Sequence, residues 1–353
     1  MLKNTLHTLV RGVFDKTRKF ISWRYNLNPG FMQVLKLEKK RLNEFLGKLG
    51  DSYEIIAPVK KDLVKFEKIV NFDEIYLEKN SYFPVKEYFF RKREVLFEFN
   101  GTKITVPNPD NPKRVFFGIR RCDLNAIKHQ DIVFMEQIKD PYYMSMRQNS
   151  FLIGYHCNEA PSPFCFCGSM ELAEYFDLMF YDKKDYFLVE VGSEKGTFLV
   201  NKFTGFFTEL PIFISSEEKK IPGADRLENK DISKLYDHSD WKKGVDICLS
   251  CAACTTLCPT CYCFEVYDEV KTKNPDKGQR KRDWSSCQLP SFTKVAGDHV
   301  FRETREDRFK HRIYHQLEYF KQKNGVNLCV GCGRCIEGCP TRIDFVDIIN
   351  NMK

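Results

Sequence analysis

Cys248-Leu249-Ser250-Cys251-Ala252-Ala253-Cys254-Thr255-Thr256-Leu257-Cys258-Pro259 has the spacing C-x2-C-x2-C-x3-C-P, and Cys329, Cys332, Cys335, Cys339 and Pro340 repeat it. This is the iron-sulfur run of bacterial-type ferredoxins. Three thiolates on one tight loop reach three corners of a four-iron cubane, while the turn at the fourth cysteine aims it elsewhere; in two-cluster proteins that fourth thiolate holds the other cluster. The spacing therefore predicts crossed ligation, with Cys248, Cys251, Cys254 and Cys339 on one cluster and Cys329, Cys332, Cys335 and Cys258 on the second. Small residues at Ala252, Ala253, Gly331 and Gly333 let backbone N-H groups approach the sulfides. Structural zinc is the competing ligand, but zinc sites mostly use two separated pairs of cysteines and have no need of a fourth cysteine before proline.

The chain of 353 residues holds 15 cysteines, which cluster between Cys122 and Cys167 and between Cys248 and Cys339. That density is too low for a disulfide scaffold, and no secretory hydrophobic region with a small-residue cleavage site stands at the N-terminus, so the thiols read as metal ligands or redox groups of a soluble, cytoplasmic protein. No run approaches the ~18 consecutive apolar residues of a membrane span. The formal charge of +8 would ordinarily point to an anionic partner such as nucleic acid. Three oxidised cubanes with their thiolates contribute about −2 each and bring the loaded protein near neutrality, which removes that argument. The basic stretches 271–282 and 302–312 are interrupted by Asp276, Glu303, Glu306 and Asp307, as solvated faces or docking patches are. No nucleic-acid partner is expected.

Working outward, the expected fold class is α+β: an N-terminal α/β domain with a mixed sheet, then a mainly helical, ferredoxin-like dicluster domain. Residues 1–31 form a basic extension, with Lys3, Arg11, Lys16, Arg18, Lys19 and Arg24 against Asp15, and Leu2, Leu6, Leu9, Val10, Val13 and Phe14 at near-helical spacing. Residues 32–214 form the α/β domain. A helical stripe at Leu42, Phe45, Leu46 and Leu49 closes at Gly50, and Asn100-Gly101 marks a hairpin within Leu96 to Val106. A second hairpin is expected around Gly192 to Gly196, between Tyr186 to Val189 and Thr197 to Val200. Between the hairpins, strand Val115 to Ile119, a helix from Leu124 and strand Phe151 to Tyr155 read as a β-α-β unit. The polar stretch 215–243, with Pro222-Gly223, reads as a linker. In 244–353 the spacing of Val266 and Val270, and of Ile313, Leu317 and Phe320, predicts helices around the cysteines. Cys258 and Cys329 lie 71 residues apart. That separation resembles the α-helical ferredoxin fold of the iron-sulfur subunits in succinate dehydrogenase and heterodisulfide reductase.

Cys122, Cys157, Cys165 and Cys167 suit a third site. If the two strands are parallel, Cys122 and Cys157 lie just past their carboxyl ends and face one crevice, where open parallel sheets collect ligands. Cys165-Phe166-Cys167, if extended, turns both sulfurs to one side. From the residues alone a third cubane, a zinc site and buried free thiols all stand open.

Several blocks carry a family resemblance: Arg121-Cys122-Asp123-Leu124, Cys165-Phe166-Cys167, Cys258-Pro259-Thr260-Cys261-Tyr262-Cys263-Phe264-Glu265-Val266, Trp284-Ser285-Ser286-Cys287-Gln288, Val295-Ala296-Gly297 and Phe301-Arg302. In this order, over about residues 32–348, the chain resembles the β subunit of cytoplasmic NiFe sulfhydrogenases, a family that also takes in the corresponding chain of the anaerobic sulfite reductase. The resemblance implies several iron-sulfur clusters, which favours the third cubane. It also implies a flavoprotein partner that binds FAD and NAD(P)H, with the catalytic centre, NiFe or sirohaem, on another chain.

No G-x-G-x-x-G fingerprint, Walker loop or C-x-x-C-H haem signature is present. An electron conduit between other subunits is thus the expected function. The alternative is a self-contained sulfur or polysulfide reductase using Cys261, Cys263 and Cys287, which fit neither ferredoxin motif. These three read as buried structural thiols, or as redox thiols activated by the neighbouring Arg280, Lys281 and Arg282.

Overall fold

Near-continuous apolar runs at Arg114–Ile119 and Ser150–Tyr155 suit strands covered on both faces. In the computed structural model, which describes residues 33–107 and 112–353, these two strands pair in parallel and are joined through the helix Arg121–Asp131. The expected β-α-β unit is therefore present. It lies inside an eight-stranded mixed sheet of order Thr208–Leu210, Val34–Glu38, Tyr186–Val191, Leu178–Asp182, Ser150–Tyr155, Arg114–Ile119, Glu54–Lys60 and Val64–Ile69. The run from Leu178–Asp182 to Glu54–Lys60 is parallel, and the flanking strands are antiparallel.

Each face of this sheet has its own core. Leu37, Phe117, Ile153 and Val189 pack under the helix Leu42–Gly50, whose Phe45, Leu46 and Leu49 are fully buried as the periodicity predicts. On the opposite face Phe89, Phe90, Phe116 and Leu152 meet Leu124, Ile127 and Tyr143. The second face carries the helix that begins at Arg121, and so fixes where Cys122 stands.

Two expected elements differ. Thr197 to Val200 is not a strand but part of the helix Glu194–Lys202. Ser193 caps it by accepting a hydrogen bond from the Gly196 N-H, and Leu199 and Val200 point into the sheet core. The cap and the burial of these two apolar residues outweigh the β propensity of a Thr-Phe-Leu-Val run. The C-terminal part is also not mainly helical. Phe264–Lys271 and Asn274–Trp284 form a long antiparallel hairpin. Val266 and Val270 are four residues apart, a spacing that a helix face and one side of a strand share. Phe264–Lys271 is solvent-exposed along its whole length, so no burial pattern marks it as a strand.

This hairpin joins the two halves of the chain. Asn274–Trp284 pairs with Arg93–Asn100, which turns at Asn100-Gly101 into Lys103–Thr105 as the sequence predicts. The second sheet thus holds four strands, two from each half. Arg282 is buried in its seam on Glu94 and Asp140. The helix Arg305–Tyr314, started by a Thr304/Asp307 capping box, bears the expected buried stripe at Ile313 and, beyond it, at Leu317 and Phe320. The stretch 215–243 runs along the body and is pinned there by Ile221, Ala224, Ile232 and Trp241, all buried. The basic extension 1–31 lies outside the described residues. Among those described, no helix is long and apolar enough to cross a membrane.

Candidate metal centre

The two ferredoxin motifs fold as copies of one another. In the first, Ser250 and Ala252 adopt left-handed φ values of 51° and 66°; in the second, Gly331 and Gly333 adopt 64° and 74° at the matching positions. The Ser250 N-H points at the Cys248 sulfur at 3.4 Å, and the Gly331 N-H at the Cys329 sulfur at the same distance. A four-residue helix follows each loop, Ala253–Thr256 and Arg334–Glu337. Past it, Thr260 Oγ1 lies 3.1 Å from Cys258 Sγ and Thr341 Oγ1 lies 3.5 Å from Cys339 Sγ. Left-handed turns and N-H groups directed at sulfur are the local geometry by which a protein holds a thiolate-bound inorganic core.

All eight motif cysteines line one cavity, whose apolar wall includes Phe166, Phe309, Ile313, Ile343 and Phe345. Leu257 of the first motif packs on Gly338 of the second, so the loops face each other across it. Cys258 turns away from its own loop. Its thiol lies 3.9 Å from Gln316 Oε1, which also accepts from Thr260, while the Gln316 carbonyl accepts from the Cys329 N-H at 2.9 Å. Arg312 is half-buried between the motifs and donates to the Cys254 carbonyl at 3.1 Å. Burial opposes its charge, but the thiols of Cys261, Cys258, Cys254 and Cys335 outweigh burial and hold its pKa above the ordinary guanidinium value. Among the described residues no three metal-binding side chains close to single-ion spacing, which for zinc means sulfurs at about 2.3 Å from the metal. The donor set, all cysteine around an open cavity, fits a larger iron-sulfur core.

The four N-terminal cysteines gather against the second motif. Cys122 opens the helix after Arg114–Ile119 and Cys157 lies just past Ser150–Tyr155, at the carboxyl ends of the parallel strands. Cys122 packs with Val330 and Cys332, Cys157 packs with Ile221 and Ala224, and Cys167 touches both groups. The Phe166 N-H donates to the Gly331 carbonyl at 2.8 Å, and Cys165 Sγ lies 3.9 Å from the Cys332 carbonyl. Contact here is so close that a Cβ on Gly331 or Gly333 would fall 2.5 Å from the backbone of Phe164 to Cys167. Asp123, next to Cys122, grips Arg334 of the second motif with both carboxylate oxygens at 2.7 Å. Burial, reinforced by the neighbouring thiols Cys332 and Cys157, pushes Cys165 up to about 12, and Cys167 rises by the same causes. Four such thiols ionise together only around a cation, which an iron core supplies.

Residues 247–343 match the family described as a 4Fe-4S dicluster domain. The chain is also 34% identical to "Sulfhydrogenase 2 subunit beta" of Pyrococcus furiosus over 337 residues, 91% of this chain and 99% of that relative. The chain belongs to the sulfhydrogenase β subunit family. No solved structure matches it. It is therefore an iron-sulfur, electron-transfer subunit of a sulfhydrogenase-type oxidoreductase.

Within this sulfhydrogenase β-type chain, three thiols stay outside the eight-cysteine cavity and the third group. Cys261 makes a hydrogen bond with Cys258, and Cys263 one with Cys287. The Cys287 contact, with help from Arg312 and Lys86, holds Cys263 below the usual thiol value against its burial. The basic residues expected to activate Cys287 are engaged elsewhere: Arg280 on Asp268, Lys281 on Glu269 and Arg282 on Glu94 and Asp140. The local positive charge comes instead from Arg312 and, beside Cys263, from Lys86, whose Nζ donates to the Cys261 carbonyl at 3.0 Å and sits 4.2 Å over the Trp284 ring, although burial lowers the pKa of this lysine. Nothing in the sequence near Lys86 signals this role, because its partner lies 175 residues away.

Proposed function

We propose that the chain conducts electrons between a flavoprotein subunit that binds FAD and NAD(P)H and a separate catalytic subunit, in the cytoplasm. Three four-iron clusters form the path: Cys248, Cys251, Cys254 and Cys339 hold the first, Cys329, Cys332, Cys335 and Cys258 the second, and Cys122, Cys157, Cys165 and Cys167 the third. The name of the Pyrococcus relative, a sulfhydrogenase, favours a hydrogenase over a sulfite reductase as the catalytic partner. The observation that carries the reading is the seam at Phe166 and Gly331, where the third group of cysteines meets the loop that carries Cys332.

Each cluster, when bound, takes up and releases one electron. The chain supplies the rest. The cysteine loops fix the positions, N-H groups of Ser250 and Gly331 and the guanidinium of Arg312 stabilise charge on the sulfurs, and apolar walls at Phe309, Ile313 and Phe345 keep water away. Protein purified without oxygen is expected to hold about twelve iron atoms and as many sulfides per chain. Iron and sulfide determination checks this: about eight irons would remove the third cluster, and zinc in place of the missing iron would make the N-terminal cysteines a structural zinc site.

A further inference from the structure

An open pocket lies beside the cluster cavity, lined by Lys86, Thr255, Cys261, Cys263, Trp284 and Ser286 among others. Its two facing thiols differ in access. Cys263 is half-buried and lines the pocket, whereas Cys287 is only 3% exposed and lies behind it in hydrogen-bond contact. The hairpin sets this arrangement, since the Ser285 N-H donates to the Cys263 carbonyl at 2.9 Å where Phe264–Lys271 and Asn274–Trp284 end. Lys86, 3% exposed and deeper than any ordinary surface lysine, places its ammonium at the pocket between the Cys261 carbonyl and the Trp284 ring. On the far side Cys287 neighbours Cys254, and Cys261 touches Cys258, so a motif cysteine of each cluster lies next to this group. An accessible thiol, a buried thiol touching it, a fixed cation and an adjacent electron store make more than a structural core requires.

We infer that Cys263 and Cys287 form a redox-active dithiol that reduces small anionic organic disulfides with electrons from the adjacent clusters, an inference that rests on the cluster reading above. Cys263 is the catalytic residue that attacks. Its thiolate attacks one sulfur of the disulfide RSSR, the S-S bond of the substrate breaks, one RS− leaves and Cys263 carries a mixed disulfide. The Cys287 thiol then passes its proton to the RS− already released as its sulfur attacks the Cys263 sulfur, the second RS− leaves and takes up the proton that Cys263 gave up on ionising, and a Cys263-Cys287 disulfide remains. Two electrons, delivered singly by the reduced four-iron clusters, and two protons from solvent restore the two thiols. The sum is RSSR plus two electrons and two protons giving two RSH. Lys86 selects substrates with a carboxylate close to the sulfur.

The test uses the assembled, iron-loaded protein with reduced methyl viologen as donor and 3,3′-dithiodipropionate as the disulfide. Cys263→Ser and Cys287→Ser are expected to slow viologen oxidation by at least about a hundredfold with iron unchanged. Cys287→Ser should also trap the mixed disulfide on Cys263, which peptide mass mapping detects, and wild-type protein given the disulfide without donor should yield a linked Cys263-Cys287 peptide. The mapping needs no variant and stands even if a substitution harms folding. Rates unchanged by either substitution while iron stays near twelve would overturn the dithiol and leave the conduit intact. Loss of about four irons in Cys263→Ser would overturn it too, by making that thiol a cluster ligand. A wild-type protein without iron would overturn the conduit reading itself, and with it the electron source.

Discussion

Cys258→Ala is expected to destroy the cluster of Cys329, Cys332 and Cys335 while the cluster of its own loop survives. Sequence proximity would suggest the reverse. The Cys258 thiol has turned toward Gln316, whose carbonyl takes the N-H of Cys329, so the two cysteines share one partner from the helical segment between the motifs. Charge on Cys258 is felt by Cys329, Cys332 and Cys335, and also by Cys254 of its own loop. Removing the thiol leaves one corner of that cubane without a protein ligand, and about four of about twelve irons should go. Iron determination with electron paramagnetic resonance of the reduced protein checks this. Loss of the cluster ligated by Cys248, Cys251 and Cys254 instead would mean that each motif closes on its own cysteine.

Asp123→Asn should be the most costly change away from the cysteines. Asp123 and Arg334 are 1% and 3% exposed, and Arg334 spends its remaining donors on Ser81, with Nε on the carbonyl at 2.7 Å and Nη2 on the hydroxyl at 3.1 Å. Neutralising the carboxylate leaves a buried guanidinium without its counter-charge, which costs about 3–5 kcal/mol. The damage falls on function as well. This pair ties the helix that carries Cys122 to the loop that carries Cys332 and Cys335, so the third group of thiols loses its register against the second. The midpoint of chemical unfolding should drop accordingly, and Asp123→Asn/Arg334→Met should recover part of the loss because no lone charge remains. A change under about 1 kcal/mol in the single variant would mean that water reaches the pair.

How much of this was legible in the sequence depended on the distance over which each feature is set. The ferredoxin loops are local: cysteine spacing and small residues specify them within twelve positions, and they fold as the spacing says. The same holds for the Asn100-Gly101 turn and for the β-α-β unit that brings Cys122 and Cys157 to one edge of the sheet. The hairpin Phe264–Lys271 to Asn274–Trp284 was not legible, because its first strand is exposed throughout and its valine spacing fits a helix equally well. The second strand is held by pairing to Arg93–Asn100, about 180 residues earlier in the chain. Lys86, Arg312, Gln316 and Arg334 escaped for a related reason. Each is an ordinary polar residue until the fold brings it against a cysteine loop.

The conduit claim is tested most directly by Cys165→Ala in the assembled complex. The Cys165 thiol lies beside the Cys332 carbonyl and outside the eight-cysteine cavity, so its loss should break the path at the third cluster and leave the other two intact. NAD(P)H-linked turnover should fall to background, while the catalytic subunit, supplied by a dye that exchanges electrons at its own centre, keeps its full rate. NAD(P)H-linked turnover that persists at the wild-type rate would show that electrons do not pass through Cys122, Cys157, Cys165 and Cys167, and would contradict the account.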